Sequence, residues 1–268
     1  MIVRSGFTPA EKEQLAASFS LLADPPSDAR NRMPCLDLLD ETRCAAYLDG
    51  LAGTLPSPSR LVAASQFSKR YAFIAAVPSL YAMTAYGKGM LLSIEDCSLD
   101  ASPDRIGQSR LTAGKLLVTE PKAGERDRWR AELTNRLFAG HLARIWRTVS
   151  AVAGIPKAIL WENAAVRVYS LYEKRIPAEA DEKTRLRLAE DFDYLVRRAP
   201  GSAFGEKFNP LARFFGDRRF PGLPSEAAAT RIRRTCCFYY QAAPDAEYCS
   251  TCPKTKTAKP EVARERKR

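Results

Sequence analysis

DRWRAELTNRLFAGHLARIWRTVSAV, residues 127–152, is the stretch that sets the fold class. Trp129, Leu133, Leu137, Leu142, Ile145, Trp146 and Val149 fit one long helix with a buried face. Gly154 ends it, and Pro156 opens a second helix that runs through Trp161 to about Tyr172. A charge-rich third helix covers about Asp181 to Arg198 and stops before Pro200. Upstream, Thr8-Pro9-Ala10-Glu11 is a helix start with a cap, a proline at the first position and a glutamate three residues after the cap. Leu15, Phe19 and Leu22 give that helix its stripe. Further helices are expected from about Leu36 to Leu51 and from Ser59, where Leu61, Ala64, Phe67, Tyr71 and Ile74 recur at helical spacing. Met90–Ile94 and Leu116–Thr119 are short apolar runs between Gly, Asp, Ser and Pro, and read as strands of one small sheet. The class is α+β, mostly helical, with one small β-sheet and a cysteine-rich C-terminal segment.

The 268 residues are enough to bury a large core, and 46% apolar with 27% charged is the balance of a globular protein. No run approaches the roughly 20 apolar residues of a membrane span. The opening MIVRSGFTPAEKEQL lacks the apolar stretch of a secretory signal. A cytoplasmic location is the expectation, and there seven cysteines read as thiols or metal ligands rather than disulfides. The net charge is +11, and residues 253–268 alone carry seven Lys or Arg against two Glu. That end reads as a disordered basic tail. The remaining surplus suits an acidic protein partner, an anionic membrane surface or nucleic acid.

Four of the cysteines fall within seventeen residues: Cys236-Cys237, eleven residues, then Cys249-Ser250-Thr251-Cys252. A single tetrahedral zinc takes two pairs with spacers of two to four residues. Cys249 and Cys252 satisfy that, but the adjacent Cys236 and Cys237 diverge. A two-iron cluster is larger and tolerates neighbouring ligands better. The only histidine is His141, so a shell with two histidines is excluded. The rival reading is structural zinc beside a basic nucleic-acid-binding surface.

The pattern resembles the C-terminal signature of the FhuF-type ferric siderophore reductases, which hold a [2Fe–2S] cluster through C-C-x10-C-x2-C. Gly154-Ile155-Pro156 to Trp161-Glu162-Asn163-Ala164 resembles the family's Trp-x-Asn helix. Phe208-Asn209-Pro210-Leu211 resembles its Asn-Pro turn, and Ser65 to Tyr71 its N-terminal helix. The one visible departure is eleven residues instead of ten between the cysteine pairs, which a turn at residues 242–245 absorbs. The expected division is an N-terminal helical region (1–58), a helical and mixed core of the reductase domain (59–230), a cluster segment (231–253) and the disordered basic tail (254–268). The resemblance implies Cys236, Cys237, Cys249 and Cys252 as cofactor and metal ligands, and a ferric siderophore, of hydroxamate type, as substrate.

One-electron chemistry of this kind needs no nucleophile or general acid. The chain has no G-x-G-x-x-G after a strand and no P-loop, so an external donor such as a ferredoxin or flavoprotein is expected. Arg231, Arg233 and Arg234 stand just before the cysteines, where positive charge would favour the reduced cluster or draw in an anionic chelate. Trp161 and Asn163 are further candidates for contact with substrate or partner. Work at the inner face of the cytoplasmic membrane would suit release beside an importer, and nucleic acid is not expected as a partner. His141 reads as a satisfied helix histidine, and Cys35, Cys44 and Cys97 as buried thiols.

Overall fold

Helix α3, Arg60–Tyr81, is the axis around which the computed structural model is organised. Residues 2–22, 32–100, 109–114, 116–216, 231–243 and 245–257 are described. The Ser59 hydroxyl caps α3 by accepting from the Val62 amide. From Val62 onward only Gln66, Lys69, Arg70 and Phe73 escape full burial. Those four recur at three- and four-residue steps, so the helix shows the outside one narrow stripe and buries the rest.

Earlier in the chain, α1 (Pro9–Phe19) begins with the reciprocal cap expected of Thr8 and Glu11 and buries Leu15 and Phe19. Ser20 takes a left-handed conformation (φ 58°) and ends it, so Leu22 leaves the helix stripe for strand β2, Leu21–Leu22. A short 3₁₀ turn, Cys35–Leu39, precedes α2, Glu41–Gly53, which therefore starts later than expected, at the Asp40 cap. After α3 come α4 (Arg126–Leu137), α5 (Ala143–Ala153) and α6 (Lys157–Ser170), of which α6 packs along α3. The short α7 (Ile176–Glu179), α8 (Glu182–Asp193, capped by Asp181) and α9 (Pro210–Phe215, capped by Asn209) follow.

The long helix expected at 127–152 is present but widened. A π-turn, Phe138–Leu142, joins α4 to α5. Three more, Ala82–Tyr86, Leu171–Arg175 and Tyr194–Arg198, extend α3, α6 and α8. His141 lies in the first of these turns and is buried.

The single sheet expected from sequence is two sheets. Strands β4 (Gly89–Leu91) and β7 (Leu117–Pro121) share a sheet as anticipated and pair antiparallel, with Met90 opposite Val118, and β1 (Ile2–Ser5) joins the other edge of β7. A Cβ on Gly89 would lie 2.4 Å from Leu133 and 2.9 Å from Trp129, so only glycine lets β4 approach α4 this closely. The second sheet runs in the order β2, β6 (Leu111–Ala113), β5 (Cys97–Asp100), β3 (Arg32–Pro34), with β2 and β6 parallel.

One apolar cluster extends from Phe7 to Phe214. Cys35, Cys44 and Cys97 are buried in it, and burial lifts the Cys35 and Cys44 thiols to about 12. His141, 1% exposed, accepts from the Tyr71 hydroxyl at Nε2 (2.7 Å) and donates from Nδ1 to the Leu92 carbonyl (3.4 Å). Burial, more than any neighbour, pushes its pKa down to about 4. The unfolded chain therefore takes up a proton near pH 6.5 that the folded one refuses until about pH 4. Stability from this group is complete above pH 6.5 and drains away below it, by about 2 kcal/mol at pH 5. Urea titrations at pH 7.5 and pH 5 are expected to show that loss in the native protein and a smaller one in His141→Gln; equal losses would count against it.

A second buried polar centre lies where the π-turn after α3 meets α4 and α8. Asp191, fully buried, accepts from Thr84 Oγ1 at 2.8 Å, Arg126 Nη2 at 2.7 Å and Arg130 Nη1 at 3.0 Å. Arg130 is itself 1% exposed.

Candidate metal centre

Three side chains of α3 and two of α6 converge on the segment 231–237. The Cys237 carbonyl accepts from Ser65 Oγ and from Gln66 Nε2, both at 2.8 Å. Across the seam, the Glu162 carboxylate, 2% exposed, accepts from the backbone amides of Arg234 (2.5 Å) and Thr235 (2.8 Å) and from the Thr235 hydroxyl. Arg233 turns inward, 3.6 Å from Glu162 and donating at 2.6 Å to Asn163 Oδ1. Asn163 in turn donates to the Ser65 carbonyl (3.0 Å) and to Ser68 Oγ (2.8 Å), tying α6 to α3 beneath the segment. The pairing of the two helices and the grip on the cysteine loop are thus one hydrogen-bonded unit.

The loop itself is closed by backbone. Phe238 is left-handed (φ 56°), an uncommon state for a residue with a side chain, and its amide donates to Cys236 Sγ, 3.4 Å away. Helix α10, Tyr239–Ala242, then packs on α3. The Arg233 amide bonds to the Thr251 carbonyl (3.0 Å), bringing the second cysteine pair beside the first. A turn from Cys252 N to Cys249 O leads into α11, Pro253–Thr257. Tyr240 stacks on Tyr248, with Lys254 over the Tyr240 ring, bracing the connection between the pairs.

Each pair contributes one buried and one half-exposed cysteine: Cys237 and Cys252 inside, Cys236 and Cys249 at the surface. The Cys237 and Cys249 sulfurs lie 3.5 Å apart, too far for a disulfide and close enough to share a proton. The hydrogen bond with Cys249 pulls the Cys237 thiol down to about 4 against its burial, with help from the Lys69 ammonium; the same pairing pushes Cys249 up. Lys69 lies over the Tyr239 ring at 4.9 Å and bonds to Gln66. Four uncrosslinked thiols from two chain segments, a cation and amide donors beside them form a donor set that fits an iron–sulfur group. Among the described residues no three His, Cys, Asp or Glu side chains are gathered tightly enough for a single ion.

Comparison with known families bears on the same two regions. Residues 65–219 match the family described as ferric iron reductase FhuF-like transporter. The chain belongs to the FhuF family. Residues 233–254 match the FhuF 2Fe-2S C-terminal domain, so the cofactor of this FhuF-type chain is a [2Fe–2S] cluster, and not the zinc of the rival reading. A search of curated proteins found no match.

The other residues singled out from sequence take distinct places in this FhuF-type fold. Trp161 is 3% exposed, packs against Phe138 and Phe204 and donates to Glu206 at 3.1 Å, so it offers no face to an outside ligand. Asn163 and Arg233 are buried fasteners of the loop. Arg231 pairs with Glu173 and lies 4.2 Å over the Phe215 ring. Of the three arginines, only Arg234 is exposed. Glu162 was overlooked by reasoning from sequence, although it stands between Trp161 and Asn163. Its signal was a carboxylate among the apolar positions of a helix, which needs a buried partner. Residues 217–230 and 258–268, the latter most of the basic tail, lie outside the described residues.

Proposed function

We propose that this protein is a one-electron ferric-siderophore reductase whose cluster is held by Cys236, Cys237, Cys249 and Cys252. The observation that carries the reading is the cysteine loop, pinned to the α3–α6 seam with one sulfur of each pair at the surface. When bound, the [2Fe–2S] group supplies a one-electron couple. The chain's own residues position it: Glu162 and Asn163 fix the loop, Ser65 and Gln66 hold the Cys237 carbonyl, and Lys69 supplies a positive charge beside the thiolates.

The substrate in this reading is a ferric chelate with hard oxygen donors of hydroxamate type. Such donors hold Fe(III) far more tightly than Fe(II), so one added electron releases the metal without acid, base or nucleophile. Arg234, exposed two residues before Cys236, is the cation that would meet an anionic chelate. The work takes place in the cytoplasm, and a separate one-electron carrier re-reduces the protein. Among the described residues no helix is long and apolar enough to cross a membrane.

Anaerobic visible and EPR spectra of freshly purified protein, before and after dithionite, test this. Charge-transfer bands that bleach, with a rhombic S = ½ signal and two irons per chain, are the expected result, followed by release of Fe(II) from a ferric hydroxamate. A colourless protein with one zinc and no iron would end the reductase reading.

A further inference from the structure

The exposed stripe of α3 has two halves. Gln66 and Lys69 lie under the cysteine loop, while Arg70 and Phe73 continue the stripe beyond it. Three guanidiniums stand around the half-buried Phe73 ring: Arg70 at 5.4 Å, Arg175 at 5.5 Å and Arg167 at 5.9 Å. Arg175 also lies 5.4 Å from the Phe19 ring.

Among the described residues none of the three has a carboxylate partner. Arg70 donates to the Ser109 carbonyl and the Ser20 hydroxyl, and Arg175 to the Ser18 carbonyl. Arg43, Arg60, Arg136, Arg144 and Arg197 each hold an acid, whereas these three share one aromatic ring without one. Burial first, and then their cationic neighbours, push Arg70 and Arg167 below the ordinary guanidinium range. A partly buried like-charge cluster is costly unless an anion joins it. A guanidinium laid on an aromatic face uses its flat side and keeps its N–H edge for a carboxylate.

The position matters as much as the charge. Arg167 is one helical turn beyond Asn163 on α6, and its charge acts on Arg233 and Cys237. An anionic surface bound here rests against the same helix seam that carries the cysteine loop. We propose that Arg70, Arg167 and Arg175 around Phe73 form the docking face for an acidic one-electron carrier protein. This rests on the reductase reading above. Carboxylates of the carrier take the N–H groups that these bonds leave over, above all on Arg167 and Arg175, and the longer-range attraction speeds encounter. Exchange there moves one electron and no atoms: the carrier is oxidised by one, this protein reduced by one. A membrane headgroup would satisfy the charges but has no use for their closeness to Cys237.

The test is stopped-flow bleaching of the oxidised holoprotein by two reductants, a reduced acidic plant-type ferredoxin as probe and dithionite. The variants are Arg175→Glu, at an exposed position, and the triple Arg70→Gln/Arg167→Gln/Arg175→Gln. At low ionic strength the ferredoxin rate is expected to fall at least tenfold in both, with a flatter salt dependence, while dithionite bleaches all proteins alike. If the triple variant does not fold, Arg175→Glu alone decides. Ferredoxin that reduces the variants at the native rate, or does not reduce the native protein, overturns the proposal. So does a ferredoxin rate left intact by substitutions that release the protein from phosphatidylglycerol vesicles. A native protein with no dithionite-bleachable colour sinks the reductase reading itself and the docking proposal with it.

Discussion

Glu162→Ala is expected to cost the protein about 3–5 kcal/mol and to leave it with little bound iron, because it strips a buried cation of its acid. Three donors on the cysteine segment converge on this carboxylate, the Arg234 and Thr235 amides and the Thr235 hydroxyl, and Arg233 stands behind them. Alanine leaves those donors without their acceptor, and Arg233, 3% exposed, keeps only Asn163 and the Thr235 carbonyl. Glu162→Gln keeps the shape but presents one acceptor oxygen and a misplaced NH₂ group, so its loss should be intermediate. Urea denaturation followed by circular dichroism, with iron counted per chain, gives both quantities. Native-like iron content in Glu162→Ala would show that the loop holds its place by other means.

Asp191→Ala is expected to lose a similar amount of stability, about 3–5 kcal/mol, but not the cluster. The carboxylate is fully buried and accepts from Thr84, Arg126 and Arg130. Removing it leaves Arg130 enclosed with Asp127 as its remaining acid. Thr84 lies about five helical turns along the chain from Ser65, so the damage falls far from the cysteines. In the same denaturation series, the iron per folded chain should match the native protein while the midpoint drops. A joint loss of iron and stability would mean that the two buried centres are coupled through α3.

These two centres also show what the sequence makes visible. The helix around Trp129 and Trp146 could be read because its apolar spacing survives even with a π-turn in the middle. The turn itself could not: it adds one residue to the winding over five positions, too short a stretch to shift a pattern. The second sheet was hidden for a similar reason, since its strands run from two to four residues and three of them reach only two or three. The capping box at Thr8 was legible to the residue, yet the left-handed Ser20 that ends α1 carries no glycine to announce it.

At the site, the four cysteines were plain from their clustering and the supporting shell was not. Trp161 and Asn163 drew notice because aromatic and amide groups bind ligands. The carboxylate between them fastens the loop, and its role depends on Arg234 and Thr235, some seventy residues later. Spacing along a chain reports neighbours on one helix and is blind to a partner at that distance. Arg231 and Arg233 look like free cations in a basic run, but Glu173 and Glu162 answer them from other elements.

The order of the parts along the chain has a bearing on how the protein is made. Ser65, Gln66, Glu162 and Asn163 all precede the loop they grip, by about 70 to about 170 positions. During synthesis the body can fold before the cysteines emerge, and α3 and α6 can already be paired when Cys237 arrives. The entropy of bringing such distant segments together is then met by the body's own core, with no contribution from the metal. Small zinc domains that are unfolded without their ion gain their fold and their metal in one event. The apolar core contains none of the four cluster cysteines, so this order of parts favours a scaffold formed first and a cysteine loop closed on it afterwards.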